Sequence, residues 1–150
     1  MNLRNFARTW MPVIAWMLVI FTASTDLMSA EHTSRFIGPF LRWLMPQISH
    51  ATILAVQLLV RKAAHVTEYA ILAALLLRAL RGEARSIPWH FLLLAWVMAA
   101  VCAAVDEYHQ SFVSSRTAAV GDVLIDLCGA LLGLLLFSWL ALRSPRGTPA

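Results

Sequence analysis

Lys62-x-x-His65-x-x-Glu68-Tyr69 places an ammonium, an imidazole, a carboxylate and a phenol at i, i+3, i+6 and i+7, on one face of a helix. Asp106-Glu107-x-x-Gln110, and Arg116 followed by Asp122 and Asp126, hold the other groups able to do chemistry. Imidazoles and carboxylates are the usual general acids and bases, and lysine and arginine hold phosphates and carboxylates. His65, Glu68, Asp106, Glu107, Asp122 and Asp126 also offer nitrogen and oxygen donors suited to a divalent metal. Their spacing fits no standard zinc motif, so neither a metal nor another cofactor is expected. A charge network with Lys62 and Arg116 is the more economical reading. No Ser-His-Asp spacing, nucleophile elbow, phosphate loop or Cys-x-x-Cys is present.

Apolar segments must position these groups. The chain of 150 residues is 60% hydrophobic and only 13% charged, against about 25% charged in a soluble domain. That predicts an all-α, polytopic membrane helical bundle forming a single domain over residues 1–150, with the bilayer as its solvent. Four spans are expected, at roughly 9–26, 62–80, 87–106 and 120–142, near the ~20 residues that a crossing helix needs. Residues 36–60 contain two apolar pieces too short to cross, the first broken by Pro39 and Pro46. They are expected as a short interfacial or re-entrant segment on the outer side. The alternative is one long helix from Ser49 to Arg81, which requires Arg61 and Lys62 to be paired with carboxylates.

Arginines set the orientation. With both termini in the cytoplasm, the inner side holds Arg4, Arg8, Arg78, Arg81, Arg85, Arg143 and Arg146; the outer side holds Arg35, Arg42, Arg61, Lys62 and Arg116. Seven against five is a moderate positive-inside bias. The acids are segregated separately: Asp26, Glu31, Glu68, Asp106, Glu107, Asp122 and Asp126 all fall on the outer side, and only Glu83 on the inner. Trp10, Trp89 and Trp139 suit interfacial belts. The net charge of +4 belongs to these flanks, and no basic face with interleaved aromatic stacking signals nucleic acid. The first span follows Arg4 and Arg8 as a signal peptide would, but Met28-Ser29-Ala30 lacks a small residue at its first position. A retained helix is therefore expected. Cys102 and Cys128 lie inside apolar segments, where packing is their ordinary role.

Ionisable groups at bilayer depth cost several kcal/mol each unless paired or hydrated, which makes these residues candidates for a site. Glu68 sits about 9 Å deeper than Lys62 by helical rise. Asp106 and Glu107 close a span at its C-terminus, where the helix dipole disfavours anions; Arg116 is the expected cation. Asp122, Asp126, Gly129 and Gly133 recur at i, i+4, i+7 and i+11. Gly-x-x-x-Gly is a close-packing motif, weak evidence alone for a homo-oligomer. Its continuation into Asp122 and Asp126 turns both acids toward the other spans. Ser24, Thr25 and Asp26 reach the same level at the end of the first span.

At these residues the chain resembles the VanZ-like membrane proteins. The ordered set Lys62-x-x-His65-x-x-Glu68-Tyr69, Asp106-Glu107-x-x-Gln110, Arg116, Asp122 and Asp126-x-x-Gly129 carries the resemblance, from about residue 24 to residue 133. The family commonly has Pro-Gly where this chain has Ser114-Ser115, and Asn where it has Asp126. The resemblance implies a small multi-pass protein of the bacterial cytoplasmic membrane, in a family whose namesake is linked to glycopeptide (teicoplanin) resistance.

Three functions follow from the residues. In the first, an outer polar pocket binds the head group of an envelope lipid or lipid-linked cell-wall precursor. Its lining would be Lys62, His65, Glu68, Tyr69, Asp106, Glu107, Gln110, Arg116, Asp122 and Asp126. In the second, the chain is a membrane hydrolase or transferase acting on lipid head groups, metal-dependent or not. Glu68, Asp106 and His65 are then the candidate acids and bases. In the third, the network only holds the bundle together for a partner protein.

Overall fold

The computed structural model describes residues 3–25, 30–82, 84, 86–113 and 120–143. They form five helices: α1 (Leu3–Ala23), α2 (Ala30–Leu44), α3 (His50–Arg81), α4 (Trp89–Gln110) and α5 (Val120–Arg143). All but α2 are long and apolar enough to cross a membrane. The expected all-α membrane bundle of four spans with one further helical segment is what the chain forms.

The largest difference from the sequence reading lies between residues 36 and 60. Residues 51–60 are not a separate outer piece; they are the first turns of α3, a single helix of 32 residues, which is the alternative of one long helix from Ser49 to Arg81. The reason is local. Ser49 caps the N-terminus, its hydroxyl accepting from Thr52 N at 3.1 Å. No proline or glycine interrupts His50 to Arg81. The helix stops at Gly82, whose φ of +56° suits the C-terminal position and disfavours residues with a Cβ.

At 1.5 Å per residue α3 is about 48 Å long, well beyond the ~30 Å hydrocarbon thickness of a bilayer. From Arg81 back to Lys62 is about 29 Å. Anchoring Arg78 and Arg81 at one interface therefore puts Lys62 at the other. The residues before Lys62 project past it, and the long helix does not drag the lysine toward the bilayer centre.

α3 is the hub, packing against α1, α2, α4 and α5, with the seam to α5 the most extensive. α3 and α5 run parallel. A Cβ added to Gly129 would lie 2.8 Å from Val66 Cα, and one added to Gly133 would lie 2.7 Å from Ala70 Cα. Both glycines are therefore required for the backbones to approach. Small residues at such contacts let membrane helices gain packing that lipid would otherwise supply. On α4 the buried apolar residues are alanines, Ala95, Ala99 and Ala103, again at a four-residue spacing. Trp96 Nε1 donates to Leu127 O at 3.3 Å and ties α4 to α5.

α1 is the least embedded span. It is fixed to α3 by Trp16 Nε1 donating to Glu68 O at 2.9 Å, and by Arg78 donating to Thr9 O at 3.2 Å. Arg78, Arg81 and Arg143 gather at the end of the bundle opposite Lys62. Arg81 lies over the Phe137 ring at 5.7 Å and Arg143 over Trp139 at 4.0 Å, cation–π contacts that let long side chains rest along apolar surface. Neither cysteine is in a disulfide; Cys128 is exposed and Cys102 partly so.

Candidate functional site

The site-bearing ends of α1, α3, α4 and α5 lie at one end of the bundle, because α1 and α4 run toward it and α3 and α5 away from it. The parallel seam sets the register there. Lys62 Nζ donates to Asp122 Oδ1 at 3.2 Å. Roughly one turn deeper, His65 Nδ1 lies 3.0 Å from Asp126 Oδ1. Two turns of α3 thus pair with two turns of α5, directly above the glycines that bring the helices together.

The pairs differ in exposure. Lys62 keeps 42% of its side chain exposed over a mostly covered Asp122. His65 and Asp126 are buried, at 9% and 1% of their side chains. The first pair can exchange its partner for a solute, while the second is closed to one unless it enters. An ionised carboxylate only accepts hydrogen bonds, so with Asp126 charged His65 Nδ1 would carry the proton between them. Nε2 is then the ring nitrogen turned to other partners.

A second group joins α1 to α4. Ser24 Oγ donates to Asp106 Oδ1. Gln110 Nε2 donates to Asp106 Oδ2 at 2.9 Å and lies 3.4 Å from Ser24 Oγ. All three are buried. Both oxygens of Asp106 are therefore hydrogen-bonded at a helix C-terminus, where an unsupported anion would be unfavourable. Glu107 is buried beside it, so the adjacent acids are not a solvated terminus.

Tyr69 sits between the two groups. Its side chain is fully buried, and its hydroxyl finds no hydrogen-bond partner among the described residues. It lies within electrostatic range of the Asp106, Asp126 and Glu68 carboxylates. Glu68 is only half-buried, while His65 and Tyr69 on the same face are buried.

Of the ten residues expected to line a pocket, nine are described, and Lys62, His65, Tyr69, Asp106, Gln110, Asp122 and Asp126 fall in or between these two hydrogen-bonded groups. Arg116, Asp26 and Ser114-Ser115 lie outside the described residues. The sequence makes Arg116 the counter-ion for Asp106; among the described residues its partners are Ser24 and Gln110. Two contributors carried no polar signal in the sequence. Trp16 and Trp96 spend their indole N–H groups on backbone carbonyls of neighbouring spans, at Glu68 and Leu127, and could have been found only as tryptophans placed well inside a span rather than at its rim. Among the described residues no three His, Cys, Asp or Glu side chains are grouped as metal ligands.

A family model described as VanZ/LLP1 matches residues 9–141. No curated protein and no solved structure matches the chain.

Proposed function

The chain belongs to the VanZ/LLP1 family of membrane proteins, and on that premise we propose that its polar end faces outward from a bacterial cytoplasmic membrane and holds the anionic head group of an envelope lipid. Both termini are then cytoplasmic. The observation that carries this reading is the graded pairing along the α3–α5 seam. Lys62, 42% exposed, stands at the rim over the buried His65–Asp126 pair. A phosphate or carboxylate arriving at the rim meets an ammonium already positioned by Asp122. Arg116, in the same sequence constellation, supplies the second cation. Tyr69 offers a buried hydroxyl to a polar atom that reaches the floor. Asp106 and Asp126, each fixed by hydrogen bonds, keep the walls polar without free charge.

A lipid-linked cell-wall precursor fits this description, and holding it would give the chain a route to glycopeptide resistance. Alanine at Lys62 or at Arg116 is expected to abolish co-purification of the anionic lipid held at the rim while the protein remains folded by its melting profile. Unchanged lipid occupancy in both variants would reject the reading.

A second reading has one observation in its favour. His65 is oriented through Nδ1 by a buried aspartate, the arrangement that readies an imidazole to accept a proton through Nε2. A hydrolase or transferase acting on lipid head groups would use it so, with Glu68 or Asp106 as the partner acid. Turnover of phospholipid or polyprenyl-phosphate substrates that is lost in His65→Gln would establish this chemistry; absence of turnover in the intact protein rejects it.

A further inference from the structure

The first turns of α3 and the helix packed on them are not used by the site above. Gly38 of α2 faces them, its nearest neighbours being Ile53 and Gln57 of α3. Between the two helices lies a cleft of about 190 Å³. Arg42, His50 and Gln57 give it hydrogen-bond donors, and Pro39, Ile53 and Leu54 give it an apolar wall. By helical rise Ile53 stands about 14 Å beyond Lys62, so this cleft is separate from the paired charges.

Three features say what it takes. First, the sequence from Phe36 to Arg61 contains Arg42, His50 and Arg61 but no Asp or Glu, and the acid of α2, Glu31, lies near its start, so the stretch that lines the cleft is cationic wherever it carries charge. Second, α2 shows a stripe of Phe36, Phe40 and Trp43, exposed at 79%, 58% and 78%. These residues lie within about 60° of one another around the helix. Third, Leu54, Leu58 and Leu59 of α3 are also exposed, although the length of α3 carries these turns past the hydrocarbon core. Cationic side chains beside an exposed aromatic and aliphatic surface, at the level of the head groups, match an anionic amphiphile.

We propose that the α2–α3 cleft is a second lipid site, independent of the one at Lys62, which binds the phosphate of an anionic phospholipid. Arg42 and His50 hold the phosphate, Gln57 donates to its ester or glycerol oxygens, and Pro39, Ile53 and Leu54 take the root of an acyl chain. The aromatic stripe of α2 rests in the same leaflet and keeps the cleft at head-group depth.

The test uses the full chain in nanodiscs of phosphatidylcholine with or without phosphatidylglycerol, with lipids retained on release counted by native mass spectrometry. The Lys62→Ala protein, whose rim site is emptied, is expected to retain phosphatidylglycerol, and the same protein carrying Arg42→Gln/His50→Gln to retain it about tenfold less well. Both side chains are exposed, so the double variant should keep the parental melting profile, and Arg42→Lys should restore part of the retention. Lys62→Ala should leave this portion intact, which separates failure here from failure of the rim site. Retention equal to the parent in the double variant overturns the proposal. So does displacement of the lipid by inorganic phosphate alone, which would make the cleft a free-phosphate site. A variant that loses self-association instead of lipid would assign the surface to a second copy and overturn it equally.

Discussion

The two halves of α3 face different worlds. From His65 onward the helix is packed by its neighbours: His65, Tyr69, Leu72, Ala73, Leu76, Leu77 and Ala79 are buried. Before His65 only Ile53 is. The second half meets α5 backbone to backbone at Gly129 and Gly133; the first half meets α2 near Gly38, where even an added Cβ would stay 3.9 Å from Ile53 and Gln57. One half is a committed seam that fixes charges in register. The other is a loosely packed hairpin with a cleft in it. The same helix thus supplies rigid placement of the polar residues and, past Lys62, a surface left for something other than protein.

That contrast can be broken most severely at the seam. Gly133→Leu would drive a side chain into the Ala70 backbone, and the bundle should lose about 3 kcal/mol or more, read as a collapsed melting transition in detergent. A melt unchanged from the parent would mean the helices are not in this register. Asp126→Ala comes next. It strips a buried histidine of its partner, which should cost about 2–3 kcal/mol, whereas Asp122→Ala at the half-exposed rim should cost less than about 1 kcal/mol. Equal losses in the two variants would contradict the gradient of exposure along the seam. Gly38→Ala is the smallest effect and has the opposite sign. Its new methyl meets only ordinary contacts, and exchanging a helical glycine for alanine favours the helix by about 0.5–1 kcal/mol. A large destabilisation there would show the hairpin to be as tightly packed as the seam.

The spans were legible because bilayer thickness imposes a length on apolar runs, and four such runs stand out between arginines. The α5 stripe was legible for a similar reason. Only small residues permit close packing, and the acids continued the glycine spacing, so the inward direction of Asp122 and Asp126 followed. Specific partners were harder. Sharing a face predicts that Asp106 and Gln110 meet, as they do, but which residue of another span caps the second carboxylate oxygen depends on the crossing of α1 and α4. That residue is Ser24. The start of α3 stays open between residue 62 and Ser49 in the sequence, because the longer helix depends on a carboxylate for Lys62 and the one that pairs with it, Asp122, lies sixty residues away. Trp16 and Trp96 were missed because a tryptophan's apolar bulk hides its single donor.

The pairing along the seam also constrains how the protein comes into being. Synthesis proceeds from the N-terminus, so Lys62 and His65 of α3 are made before Asp122 and Asp126 of α5, their partners in the finished bundle. Between those events α3 holds two basic groups without the carboxylates that will answer them. Ser24 of α1 waits likewise for Asp106 on α4. A nascent chain interrupted before its last helix is therefore missing more than a fourth span. It carries Lys62 and His65 in α3 without the α5 carboxylates that pair with them in the finished bundle.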